Sequence, residues 1–371
     1  MSICNFPDID IYLLYYLNIK TIIGLMTVSK TQFILLDNLE FIKQLCEIKK
    51  KNYYISNSEH IIRAASAYGY VELLQWFDKS VLEFKYTTAA IDYASSKNRI
   101  NVLEWFDKSR HDFKYTANAI DNASCKNHIN VLEWFDKSRH KFKYTLDAIN
   151  LASSRGYVQV LEWFKKSKYE FKYSKNAINW ASENGYICVL DWFSQSEYEF
   201  KYTICAIDLA SNRGNVKVLE WFKNSKYEFK YSKNAVNWAA GNAHINVLEW
   251  FLQSGYEFKY CELAVNWAAN AGYIGVLDWF AQSGHEFKYT IDAINHAAGR
   301  GNIKILEWFD KSIYEFKYDY NAIESAIAND RVEVLEWFNK STHKYEKSYN
   351  KINAEIYGSI RVLEWLKKNN L

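Results

Sequence analysis

The side chains able to act as acids, bases or cation sites fall in columns. Lysines stand at 85, 114, 143, 172, 201, 230, 259, 288 and 317, each 29 residues after the last. An acid precedes most of them by two: Glu83, Asp112, Glu170, Glu199, Glu228, Glu257, Glu286 and Glu315, with Lys141 breaking the column. Catalysis needs unlike groups converging on one pocket. Groups that recur in register meet copies of themselves and make ladders, so neither a catalytic residue nor an enzyme is expected. The His residues read as scattered, His60, His128 and His244 falling at different repeat positions. A lysine stripe could follow a phosphate backbone. On an extended chain each Lys shares a side with its acid and the charges cancel, so no nucleic-acid partner is expected. The six cysteines show neither a CxxC pair nor a Cys/His zinc spacing. No metal and no cofactor follow, and free thiols in a reducing compartment are the expectation.

Composition narrows the class. Lys plus Arg is 46 against Asp plus Glu 43, which leaves no gross basic footprint. Hydrophobic residues make up 49% of the 371, enough for a large core and too many for wholesale disorder. One proline and 13 glycines are too few for the many turns of a β-sandwich or barrel. The apolar stretch 11–17 follows Asp8 and Asp10 rather than a basic region, and Asn18 and Lys20 break it far short of a membrane span. An intracellular chain with no membrane partner is expected.

The columns belong to a repeat. Tryptophans fall at 76, 105, 134, 163, 192, 221, 250, 279, 308 and 337, every gap being 29, and Trp365 follows after 28. Eleven repeats result, spanning 56–371. Counting Tyr202 as position 1, Thr203 is placed to cap a helix. Ala206, Ile207, Ala210 and Ser211 then share one helical face, small enough for a neighbouring helix to come close. Gly214 at position 13 should end that helix in the left-handed region. Its column holds Gly, Asn or Asp except at Ala243, which predicts a strained turn there. A second helix follows, with Val218, Leu219, Trp221 and Phe222 as its buried stripe and Glu–Lys pairs on its outer face. The Tyr227–Tyr231 segment reads as an extended return with its aromatics turned inward. The fold class is therefore an all-α helical-repeat solenoid, each repeat leaving an apolar face that only a neighbour can cover.

The run A-I-D-x-A-S-x-x-G-x-I-x-V-L-E-W-F resembles the ankyrin repeat, without a gap. Four residues are missing where ankyrin repeats project a β-hairpin, and Asp or Asn (Asp92, Asp121, Asn150, Asn179, Asp208) stands in place of the family's histidine. The resemblance implies ankyrin-like helices with shortened or missing hairpins. The Trp- and Tyr-rich 29-residue form is similar to ankyrin repeat proteins of mimivirus-type giant viruses, which implies the host cytoplasm or nucleus. Residues 1–55 differ. Pro7, Leu14, Leu17, Leu25, Val28 and Lys30 fall in an order that resembles an F-box. A helical cap over the first repeat fits the same segment.

In ankyrin-like stacks, positions 4, 7, 8 and 11 of the first helix line a concave groove. Position 7 is nearly always Asp or Asn, which predicts a repeated structural hydrogen bond. Position 8 varies most: Tyr93, Asn122, Leu151, Trp180, Leu209, Trp238, Trp267, His296 and Ser325. A varied column among fixed ones is the candidate partner-binding surface, with Trp180, Trp238 and Trp267 as anchors bounded by Asn179, Asn237 and Asn266. Burial of those indoles between repeats is the competing account. Function follows as a monomeric scaffold for a protein partner. The alternatives are an adaptor that docks a cullin-type ubiquitin ligase through an F-box-like N-terminus, and a structural or virion-associated repeat protein.

Overall fold

The computed structural model describes residues 58–79, 84–343 and 350–369. The F-box-like residues Pro7, Leu14, Leu17, Leu25, Val28 and Lys30, with the rest of 1–55, lie outside the described residues. Among the described residues there are 22 helices and no strands, which is two helices for each of the eleven repeats. The architecture is all-α and helical-repeat. The chain divides into two compact parts, Met1–Ala152 with Tyr157–Ser174 and Ser153–Gly156 with Lys175–Leu371.

The repeat of Tyr202–Lys230 shows why the elements form. Thr203 Oγ1 accepts the backbone N–H of Cys205 at 3.3 Å, capping the helix Cys205–Asn212. Ala206, Ile207 and Ala210 are fully buried. Gly214 then turns the chain at φ +74°, and Asn215 opens the second helix, Val216–Asn224. Ser225 ends it by donating to the Phe222 carbonyl at 2.9 Å while accepting the Tyr227 N–H at 3.2 Å. Residues 226–231 have no regular structure, the expected extended return. Within each compact part the first helices pack closely on one another and the second helices touch far less. The Ala and Ser positions allow that close approach.

The left-handed column holds throughout. Gly69, Gly156, Gly185, Gly272 and Gly301 share it with Asn98, Asn127, Asp330 and Ala243, all at positive φ. Ala243, at φ +59°, has neither glycine's freedom nor a polar side chain to compensate.

The second-helix core differs from expectation in one respect. Val218, Leu219 and Phe222 are 1% exposed or less, and the Phe column from Phe77 to Phe338 is the deepest large side chain of each repeat. Trp221 is only half-buried, with Nε1 donating to Asp191 Oδ1 of the preceding repeat at 2.7 Å, whereas Trp192 and Trp250 of the same column are buried as expected. Trp308 makes the same bond to Asp278. The tryptophan column is a polar-tipped clamp between repeats laid over a phenylalanine core.

Two expectations follow. Phe222→Ala should cost about 3–5 kcal/mol in denaturant unfolding as a large core cavity, and Trp221→Ala clearly less; the reverse order would overturn this assignment of the core. Ala243→Gly should stabilise by about 1 kcal/mol by relieving the left-handed alanine, read as a higher unfolding midpoint.

Candidate partner-binding face

Position 7 is where the structure departs most from the expected groove. Asp92, Asp121, Asn150, Asn179, Asp208, Asn237, Asn266 and Asn295 are all buried. They do not line a surface, because each is spent on the next repeat. Asp92 Oδ1 accepts the Thr116 N–H at 2.9 Å and Oδ2 accepts the Thr116 hydroxyl at 2.7 Å. Asp121 does the same to Thr145, and Asp208 to Ser232. Where Asn replaces Asp, Oδ1 keeps the backbone bond and Nδ2 donates to the side chain instead. Asn150 pairs in this way with Ser174, Asn179 with Thr203, and Asn266 with Thr290. The predicted structural hydrogen bond is present, and it joins residues 24 apart in consecutive repeats. Asn179, Asn237 and Asn266 are therefore corrected from the rim of a patch to the seam beneath it.

Asp319 breaks the hydroxyl column, and its partner is Asn295, whose Nδ2 donates to Asp319 Oδ1 at 2.7 Å. An Asp there would set two carboxylates together. Burial pushes the carboxyls of Asp92, Asp121 and Asp208 above the ordinary carboxylate value, against the pull of their Thr and Ser donors. A raised folded-state value means that the native state holds the extra proton. The stability it contributes is full below the ordinary value and is lost as pH rises through the raised one.

With position 7 withdrawn, position 8 is left on the surface. Tyr93 and His296 are exposed, and Asn122, Leu151, Trp180, Leu209, Trp238 and Trp267 are half-buried. Tyr93 has the Arg63 guanidinium 5.9 Å from its ring centre. The half-burial has a geometric cause. Position 8 leans on position 11 of the preceding repeat: a Cβ built on Gly241 would lie 3.1 Å from Trp267 Cβ, and one on Gly299 would lie 2.8 Å from Ser325 Cβ. The base of the side chain is covered by its neighbour while part of it meets solvent. The two accounts offered by the sequence thus meet halfway.

Positions 4, 8, 11 and 12 of the repeats of Trp238 and Trp267 are uncharged, and Arg300 of the following repeat borders them, its Nε donating to Asn270 Oδ1 at 3.2 Å. Positions 4, 8, 11 and 12 of these consecutive repeats are Asn234, Trp238, Gly241 and Asn242, then Leu263, Trp267, Asn270 and Ala271. Asn242 Nδ2 donates to Asn212 Oδ1 at 2.8 Å and to the Trp238 carbonyl at 2.9 Å, which ties the rim down.

The lysine column has structural work. Lys143, Lys172, Lys259, Lys288 and Lys317 each sit 4.3–4.8 Å from the ring centre of the tyrosine that opens their own repeat. Lys172, Lys230, Lys259, Lys288 and Lys317 also pair with the acid two residues earlier at 3.3–3.8 Å, as the sequence suggested. The tyrosine hydroxyls in turn donate to a backbone carbonyl at the end of their own repeat: Tyr144 to Glu170 at 2.5 Å, Tyr202 to Glu228 at 2.6 Å. Burial pushes Tyr86, Tyr115 and Tyr231 up to about 12.

One column escaped the sequence reading. His111, His140, His285 and His343 share position 26, so the histidines are not all scattered. His111 stacks on Phe84 at 4.1 Å and reaches Asp78 at 2.8 Å; His140 stacks on Phe113 at 3.8 Å and reaches Asp107 at 2.8 Å. Tyrosine fills the same place at Tyr169, where its hydroxyl donates to Asp136 at 3.0 Å. Because Tyr and His alternate in this column, its signal is aromatic rather than histidine.

No family model matches the chain, and no curated protein does. Solved structures do. A pentatricopeptide repeat protein, PPR10, in complex with an 18-nt psaJ RNA element is similar at 12% identity and a TM-score of 0.39, covering 83% of this chain and 52% of that one. A cysteine-substituted form of the same complex matches equally. The chain spans about half the length of these structures, and a likeness this low assigns it no ligand. It does correct the expectation of no nucleic-acid partner. These neighbours are RNA complexes, and overall charge balance is too coarse a criterion to exclude that class. No described helix is long and apolar enough to cross a membrane.

The seam is open to test. Asp208→Asn should leave the melting midpoint at pH 7 no lower than in the parent chain and flatten its decline as pH rises above the ordinary carboxylate value. Asn295→Asp should cost about 3 kcal/mol, the scale of an uncompensated buried charge. Equal effects of the two changes would refute the pairing rule.

Proposed function

We propose that the chain is a binding scaffold for a protein partner, held on the first-helix face through position 8, with Trp238 and Trp267 as the central anchors. The observation that supports this most directly is the partial exposure of every position-8 residue, in a helix whose columns at positions 5, 6, 7, 9 and 10 are nearly fixed and buried. Large, partly exposed aromatic side chains are the usual makeup of interaction hot spots. The ankyrin resemblance points to the same face.

The test is selection from a random peptide library and, in parallel, from a single-stranded RNA pool, both on the full chain. Selected peptides should lose at least tenfold in affinity against Trp238→Ala/Trp267→Ala, with the melting midpoint within a few degrees of the parent. Enrichment of RNA without peptides would overturn the reading, as would peptides indifferent to the double substitution.

A further inference from the structure

The eleventh repeat turns its outer side toward no described neighbour, and that side is built unlike the others. Its first helix is Asn350–Tyr357 and its second Ile360–Lys368. This repeat is one residue short, so its positions are counted back from the turn. Gly358 has φ +68°, and the Ser359 N–H bonds the Ala354 carbonyl at 2.9 Å just as the Asn215 N–H bonds the Ala210 carbonyl. Lys351 then stands at position 6, Ile352 at position 7, Ala354 at position 9 and Glu355 at position 10.

In the earlier repeats position 6 is Ile or Val and position 10 is Ser, Ala or Ile, and every one of these side chains is fully buried. Lys351 and Glu355 are both exposed, while Ala354 stays fully buried. Positions 6 and 10 are therefore the ones that a following repeat covers, and position 9 is covered from behind. Position 7 has changed as well. The Ile352 side chain accepts no hydrogen bond, so the contact that starts each next helix is gone. A further repeat of the same design would bury two charges against its own apolar face and find no acceptor for its first N–H.

The outer side is nevertheless apolar along one edge. Ile352 is 53% exposed, Ile356 70% and Ile360 66%. Leu363, at a position where every earlier leucine is fully buried, is only half-buried. The end of a solenoid needs a polar outer face to stay in water, and an apolar patch left there marks a contact. On the first helix Lys351 and Glu355 are one turn apart, and Ile352 and Ile356 are one turn apart beside them. Arg361 is held by Glu333 of the preceding repeat, and Glu364, Lys367 and Lys368 stand on the second helix.

One opposite pair spaced by a turn is self-complementary. Where two such helices meet antiparallel about a two-fold axis, Lys351 of each lies against Glu355 of the other, and no charge is left over. The isoleucines follow the same reversed order, so Ile352 of each meets Ile356 of the other. A parallel meeting would set like charges together.

We infer that this face is the contact between two copies of the chain, joined antiparallel through their Asn350–Tyr357 helices with a double Lys351–Glu355 ion pair beside a shared isoleucine seam.

Sedimentation velocity of the full chain over a wide concentration range reads the result. The parent should pass from monomer to dimer as concentration rises. Lys351→Glu and Glu355→Lys each set like charges together and should raise the dissociation constant at least tenfold, as should Ile352→Asp/Ile356→Asp. Mixing the Lys351→Glu chain with the Glu355→Lys chain should recover the dimer, since both ion pairs re-form with their signs exchanged. All four side chains are exposed, so the melting midpoints should stay within a few degrees of the parent. The proposal is overturned if the parent stays monomeric at the highest concentration, which leaves the face to some other partner, if the single charge changes dimerise like the parent, or if the mixture associates no more tightly than either chain alone. Trp238→Ala/Trp267→Ala should leave the dimer intact, so the outcome is independent of the position-8 face.

Discussion

The structure depends on one contact: the side chain at position 7 reaching the backbone N–H and the side chain at position 2 of the next repeat. A repeat of two short helices cannot bury its own apolar face, so its stability lies in the joint with its neighbour. The apolar part of that joint comes from Ala, Ile, Leu and Phe and is not directional. The position-7 bond supplies direction. Its acceptor oxygen takes the orphan N–H at the start of the next first helix, while the hydroxyl there caps the same helix, as Thr203 and Ser232 do. Docking one repeat therefore fixes where the next helix begins. Each such bond is worth only about 1 kcal/mol net, but it recurs at every joint described from Asp92 to Asn295.

The choice between Asp and Asn follows from that geometry. The first oxygen has one task, the backbone bond, and either residue performs it. The second atom faces a hydroxyl, which both donates and accepts, so Asp208 can accept a hydrogen bond from Ser232 while Asn150 donates one to Ser174. The column drifts between the two wherever the partner is Ser or Thr. At Asp319 the partner only accepts, and the column there is Asn295.

Most of the fold could be read from the sequence because the repeat supplies eleven trials of one design. Spacing alone gave the helix pairs, the cap at Thr203, the left-handed turn at Gly214 and the strained exception at Ala243. The errors came where a side chain has two ends. Trp221 looked like core by size and period, yet it is half-buried with its polar tip on Asp191, while Trp250, bonded in the same way to Glu220, is buried. Asp92 and Asn179 looked like surface by polarity, and their bonds to the next repeat bury them. Period locates a face but cannot say what the neighbouring repeat offers to it. The histidine column was missed for a related reason: His140 and Tyr169 do the same thing, stacking on a phenylalanine and bonding an aspartate, under different letters.

That equivalence bears on where function can lie. A column under structural duty drifts only among residues that perform the duty, as Asp with Asn or His with Tyr. Position 8 ranges over Tyr, Asn, Leu, Trp, His and Ser, types with no shared bonding capacity. The joint constrains little beyond the Cβ, which rests on position 11 of the preceding repeat as Trp267 rests over Gly241. The rest of the side chain is only partly covered and can vary without disturbing the joint. The position-22 column drifts as well, through Asp78, Asp107, Asp136, Lys165, Ser194, Lys223, Leu252, Ala281 and Asp310, because its ion pair lies on the surface of the second helices, where such a pair contributes little to the joint.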